Sequence, residues 1–322
     1  MSPLPYSEAV NGDRSPGAGK LNRTHAAPAP VRSERRTPFV QILRTTPART
    51  VCPNFYVLSH ANGCAFAPAC DYCYLRSSLW YLEAARLFTN VEDLVGDVRS
   101  WIARDGLEST VLNTGNLSDS LGFERERPLA ARLVELFRAE AERRGRPHAL
   151  LLVTKGGRSE IAPLAGLEPT PSVIVSFSIN APEAAAAHEA GAPPALERLA
   201  AAQQLKAAGW RIRIRIDPMI AGYSYVGLAS RVGELGPERV TLGCLRADRN
   251  LLRLGDGVFA ALEPPAEKDG LARYPFGDRI RMYRKAIDAL ADRSVVGLCE
   301  ETADAWAAAG LDPEAKTCNC AS

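Results

Sequence analysis

The sequence predicts an α/β protein whose short strands alternate with helices to build a parallel sheet, closed or partly closed into a β/α barrel. Three observations carry this reading. Runs rich in β-branched and aromatic residues recur between segments of helical periodicity. Six or seven such units occur, more than a two-layer motif uses. The strand ends run into polar or glycine-rich sequence, as expected where strands feed a site at the C-terminal mouth of a barrel.

The elements follow in order. Phe55-Tyr56-Val57-Leu58 is the first strand, and Leu79 to Asp105 reads as helix. Ser109 to Asn113 is the second strand, running into "NTGNLSDS". Arg127 to Arg144 has apolar residues at helical spacing and precedes "LLLVT" (Leu150 to Thr154), the third strand, which ends in "TKGGR". "VIVSFSIN" (Val173 to Asn180) is the fourth, followed by a helix from Ala195 to Ala208 that Gly209 stops. "RIRIRID" (Arg211 to Asp217) and "VTLGCL" (Val240 to Leu245) are the fifth and sixth. A helix from Gly277 to Arg293 leads into "VVGLC", a seventh strand-like run. Alternation in the fifth strand puts Arg211, Arg213, Arg215 and Asp217 on one face and Ile212, Ile214 and Ile216 on the other. With the isoleucines toward the helices, the arginines face the lumen, where each needs an anionic partner; on an edge strand they would face solvent instead.

Apolar residues make up 46% of the chain and charged residues 24%, an ordinary soluble composition. No run approaches the ~18–20 apolar residues of a membrane span. The N-terminus shows no apolar stretch of a secretory signal, so the expected compartment is the cytoplasm, where thiols stay reduced. The net charge of +2 is uneven: the first 50 residues hold eight Lys/Arg, three Asp/Glu and seven of the 23 prolines. Residues 1–38 therefore read as a disordered basic tail, more often merely solvated than bound to nucleic acid. The barrel is expected over 39–298 and a cysteine-containing extension over 299–322.

The eight cysteines point to metal or redox chemistry rather than disulfides. Three of them, Cys64, Cys70 and Cys73, lie within ten residues after the first strand. Structural zinc usually recruits a second pair of ligands, and the nearest histidine, His60, stands four residues before Cys64. Three thiolates on a 4Fe–4S cluster leave one iron open for another ligand.

Here the chain resembles the radical SAM superfamily and, within it, the spore photoproduct lyase family. "CDYCYL", "NTGNLSDSLGFE", "TKGG", "SFSIN" and "HEAGAPPALERLAAAQQL" followed by "RIDPMI" carry the resemblance, over roughly residues 52–300. It implies a partial (β/α)6-type TIM-like barrel of the radical SAM type. It also implies a 4Fe–4S cluster on Cys64, Cys70 and Cys73 and S-adenosylmethionine on the open iron. An electron from a donor such as flavodoxin or ferredoxin would cleave the cofactor to a 5′-deoxyadenosyl radical that abstracts hydrogen. Tyr72 would pack beside the adenine, and Gly115 and Asn116 would approach the methionyl amino group. Lys155, Ser176, Ser178, Arg213 and Arg215 are candidates for the cofactor carboxylate and ribose. Asp119 and Glu124 would be substrate or supporting acids, with helix-entry capping as the other reading of Asp119. His188 and Glu189 match the family's stretch before "GAP" but fit a solvent-facing helix equally well. Two departures stand out: the spacing is C-x5-C-x2-C instead of C-x3-C-x2-C, and Asn116 stands where the family's lesion lyase carries a cysteine hydrogen donor.

The remaining thiols leave several readings open. Cys299, Cys318 and Cys320, with Cys52 or Cys244, suit an auxiliary Fe–S cluster, a zinc site, or a thiol pair that replaces the missing hydrogen donor. The leading expectation is a radical SAM enzyme acting on an unidentified small-molecule or nucleic-acid-derived substrate. The alternatives are a nucleic-acid lesion lyase that uses Cys318 or Cys320, and a non-catalytic iron–sulfur or zinc protein.

Overall fold

The structure is a computed structural model and describes residues 28–44, 49–254, 257–265 and 270–321. The chain runs through β1 (Val31–Ser33), β2 (Val40–Leu43), β3 (Phe55–Leu58), β4 (Ala61–Asn62), α1 (Leu75–Ser78), β5 (Arg86–Phe88), α2 (Val91–Ile102) and β6 (Val111–Asn113). There follow α3 (Ala130–Phe137), β7 (Ala149–Thr154), α4 (Arg158–Ala165), β8 (Val173–Ser178), α5 (Pro182–His188), α6 (Ala195–Ala207) and β9 (Arg211–Met219). The last third holds α7 (Val226–Leu235), β10 (Arg239–Cys244), β11 (Arg246–Ala247), α8 (Arg249–Leu252), β12 (Ala272–Arg273), α9 (Phe276–Ala289), β13 (Val296–Leu298) and α10 (Ala303–Ala308).

The main sheet has eight strands in the order β13-β10-β9-β8-β7-β6-β3-β2. Seven are parallel and β2 alone runs antiparallel, on β3. β2 and β13 are not paired with each other, so the barrel stays open, as the resemblance implies. Successive parallel strands sit side by side because each crossover carries a helix that covers one face of the sheet.

The main core lies between that face and the helices. Leu150, Leu152, Val175, Phe177, Ile212, Ile214, Ile216 and Leu242 are all buried in it. The opposite, inner face starts with a small apolar group, Val111, Leu151 and Ile174, and turns polar across β8 and β9. The lumen arginines find their partners within the protein. Arg211 donates to Glu238 at 2.9 and 2.6 Å, Arg213 donates to the same carboxylate at 2.8 Å, and Arg215 pairs with Asp217.

Two boundaries differ from expectation, and the C-terminal extension takes a place that the sequence leaves open. The tail expected over 1–38 falls in two parts: residues 1–27 lie outside the described residues, but Val31–Ser33 is β1, paired in parallel with β5. The helix expected from Leu79 to Asp105 is interrupted by β5, because Leu87 is drawn into a side cluster with Ala61 and Phe123. The C-terminal extension folds back onto the inner face of the barrel. Gly297 has no room for a Cβ, which would lie 2.6 Å from the Cys318 nitrogen and the Thr317 carbonyl carbon.

Candidate functional site

The cysteine loop hangs from the C-terminal end of β3. That end is pinned by Arg127, which donates to the His60 carbonyl at 3.1 Å and to its Nδ1 at 2.9 Å. Burial and this guanidinium hold His60 down to about 3, so it is neutral and turned to Arg127. Cys64, Cys70 and Cys73 lie within electrostatic reach of one another. Burial first, and then neighbouring negative charge, raises the Cys64 thiol, and burial and Cys70 push Cys73 up to about 11. For Cys70, burial raises the thiol while Lys155 pulls against it. Half-buried thiols grouped in this way favour a cationic group that takes their protons. Among the described residues no three His, Cys, Asp or Glu donors converge on a single ion position.

The longer first gap in the cysteine motif has a physical seat. Its Ala67-Pro68 stretch packs on Gly191, where an added Cβ would lie 2.3 Å from the Pro68 carbonyl oxygen and 2.4 Å from the Ala67 carbonyl carbon. The Asp71 amide donates to the His188 carbonyl at 3.0 Å, and the His188 ring bridges Asp71 (3.1 Å) and the Tyr223 hydroxyl (3.0 Å). The "HEAGAP" segment therefore cradles the cysteine loop, and His188 and Glu189 do not face solvent. Gly191→Ala is expected to displace the loop, since backbone atoms block the new methyl. The accessibility of Cys64, Cys70 and Cys73 to a thiol-labelling reagent should rise, with the circular dichroism of the barrel unchanged.

Beside the loop lies a buried charged network. Glu189, 2% exposed, accepts from Lys155 Nζ at 2.7 Å and from Asn180 Nδ2 at 3.1 Å, and pairs with Arg198 at 2.5 Å. The Tyr72 hydroxyl donates to Glu189 and accepts from Lys155 at 2.7 Å. Burial opposes ionisation of Glu189, but Lys155 and Arg198 outweigh it and hold the carboxyl at about 2. Two cations against one carboxylate leave this pocket with one positive charge over.

Asp119 shapes the neighbouring wall. Its carboxylate accepts from Thr154 Oγ1 at 2.8 Å, Leu121 N at 2.9 Å and Lys155 N at 2.7 Å, so it fixes the strand ends rather than capping a helix. Glu124 does cap, accepting from Ala130 N at the start of α3. Gly115 touches β7, where a Cβ would sit 2.5 Å from Val153 Cβ, and the Asn116 carbonyl accepts from Tyr74.

Of the other expected cofactor residues, Ser178 stays beside this network and Ser176, Arg213 and Arg215 lie elsewhere. Ser176 donates to Asn319 at 2.8 Å and Arg213 to the Asn319 and Ala321 carbonyls at 2.6 and 2.9 Å, so both are committed to the C-terminal segment. Arg215 faces Asp217 and Cys299, and the Ser178 carbonyl accepts from Arg198 at 3.2 Å. Arg198 is the residue that sequence reasoning missed. Its signal was position: it shares a helical stripe with the buried Ala195, Ala201, Ala202 and Leu205.

Residues 29–227 match the family model of spore photoproduct lyase. No curated protein sequence matches the chain. Solved structures that share its fold include two of spore photoproduct lyase. Spore photoproduct lyase complexed with dinucleoside spore photoproduct superposes with a TM-score of 0.66 at 19% identity, covering 84% of this chain and 82% of that one. A doubly substituted spore photoproduct lyase with bound AdoMet and dinucleoside spore photoproduct gives 0.67 at 18% identity with the same coverages. The open parallel barrel, the cysteine loop at its mouth and the family match define the class as a radical SAM enzyme. The chain belongs to the spore photoproduct lyase family.

Proposed function

We propose that Cys64, Cys70 and Cys73 hold a 4Fe–4S cluster with one open iron, and that S-adenosylmethionine binds there. The observation that carries this is the placement of three half-buried thiols on one loop after the first parallel strand of the main sheet, beside a network in which two cations share one carboxylate. When bound, the pair supplies one-electron cleavage of S-adenosylmethionine and a carbon radical that abstracts hydrogen from substrate. The protein's own residues bind and orient. Lys155 and Arg198 offer the spare charge to the cofactor carboxylate, with Glu189 holding both in place. Tyr72 is fixed by its hydroxyl and closes the floor under the loop. Gly115, flush against β7, and the backbone of Asn116 leave room at the second strand end.

The test is anaerobic reconstitution followed by incubation with S-adenosylmethionine and a strong one-electron reductant. Release of 5′-deoxyadenosine is expected, and its absence from iron-loaded protein would sink the enzyme reading. The family match favours a second reading, a lyase acting on a nucleic-acid lesion. That reading needs a hydrogen donor that Asn116 does not supply. Dinucleoside spore photoproduct added to the same assay distinguishes the two: conversion to thymine dinucleoside favours the lesion lyase, whereas 5′-deoxyadenosine without conversion favours another substrate.

A further inference from the structure

The C-terminal segment brings a second set of thiols into the lumen. Its backbone is gripped by two arginines: Arg213 as above, and Arg239, which donates to the Cys318 and Ala321 carbonyls at 3.0 Å each. Ser176 holds its Asn319 side chain, and Gly297 gives it room to lie flat on β13. Cys52 arrives from the other side, its neighbour Val51 donating to the Glu301 carbonyl at 2.9 Å. Cys52, Cys318 and Cys320 are thereby within electrostatic reach of one another. Cys299 stands across Arg215, which approaches its Sγ at 3.6 Å and also senses Cys320. Arg246 approaches the same sulfur at 3.2 Å.

Two further observations point to a missing anionic group. Arg213 Nε, Arg215 Nε and Asn319 Nδ2 are buried without a hydrogen-bond partner, on residues that line this one region. Arg213 and Asn319 are 0% and 1% exposed, so water does not satisfy them easily. Among the described residues guanidiniums also outnumber carboxylates here: Arg211, Arg213, Arg215 and Arg246 face Glu238, Asp217 and Glu300. A neutral thiol set would leave that excess unbalanced, whereas an iron–sulfur cluster on four thiolates carries net negative charge and accepts N–H donors at its sulfurs. Its sulfur ligands also stand wider apart than those of a single zinc ion.

We propose that Cys52, Cys299, Cys318 and Cys320 bind a second iron–sulfur cluster in the barrel lumen, ligated entirely by protein. Without an open iron such a cluster carries electrons and does not hold a cofactor, and its ligands are not free to donate hydrogen atoms. The proposal stands independently of the Cys64 site and goes beyond it.

The experiment uses the full chain, reconstituted anaerobically, in three forms: unaltered, with Cys64, Cys70 and Cys73 replaced by alanine, and with Cys318 and Cys320 replaced by alanine. Iron and acid-labile sulfide are counted, with Mössbauer and electron paramagnetic resonance spectra. About eight irons are expected in the unaltered chain and about four in each variant. The triple variant decides the matter even if loss of the tail cysteines harms folding, because its retained iron comes from the second site alone. A triple variant free of iron, or one that carries zinc or a disulfide among the lumen cysteines instead, overturns the proposal.

Discussion

Replacing any one of Cys64, Cys70 or Cys73 with alanine is expected to reduce release of 5′-deoxyadenosine from S-adenosylmethionine by about 10³-fold or more, the scale of deleting an essential member of a catalytic unit. The same change should remove one cluster's worth of iron. The size of the effect follows from where the loop sits. Three thiols are held on a short loop fixed at Asp71 by His188 and at Ala67-Pro68 by Gly191, so no fourth donor can swing in to compensate. His60, the nearest alternative, is already bound to Arg127. Cys244 is the control. It is 2% exposed, its amide donates to the Tyr283 hydroxyl at 2.8 Å, and it belongs to the main core. Cys244→Ala should cost on the order of 1 kcal/mol through lost packing and leave the iron count and the cleavage rate unchanged. Equal loss from Cys244→Ala and Cys73→Ala would show that the triad acts through folding rather than through iron.

The strands and the cysteine loop were legible because their signals are local. Period-two alternation in "RIRIRID" told which face met the helices, and burial of Ile212, Ile214 and Ile216 follows from it directly. The expectation that the arginines meet anions also came from burial cost alone, but sequence could not say which anions. Asp217 is in the strand itself, whereas Glu238 arrives from the loop before β10. Long-range closures were the illegible part. Nothing local in "TCNCAS" says that it returns to Arg213 and Arg239. Those two arginines capture backbone carbonyls, which every residue has. Arg198 was obscured for a related reason: on a helix where it stands between Glu197 and a run ending in Gln203 and Gln204 an arginine reads as solvated, and its partner Glu189, fixed by a different segment, makes it a buried cation.

That partnership sets the second large effect. Glu189→Gln is expected to destabilise the fold by about 3–5 kcal/mol, because it leaves Lys155 and Arg198 buried together with no counter-charge. The cost comes from the stranded cations more than from the lost hydrogen bonds, so Glu189→Gln combined with Lys155→Met should recover part of the stability while still lowering affinity for S-adenosylmethionine. Urea denaturation of the unaltered and variant chains measures the first effect, and equilibrium binding of the cofactor to reconstituted protein the second. The pH dependence gives an independent sign. The Glu189 carboxyl is held at about 2 in the fold, below its ordinary value near 4.5, with burial opposing and Lys155 and Arg198 prevailing. A depressed acid contributes stability that is fully present above the unfolded value and is lost as pH falls toward the folded one. The unaltered chain should therefore lose this contribution between about pH 4.5 and pH 2, and the Gln variant, having no carboxyl to protonate, should show a shallower acid slope across the same window. Parallel slopes in the two chains would mean that the carboxylate is not the counter-charge the geometry makes it.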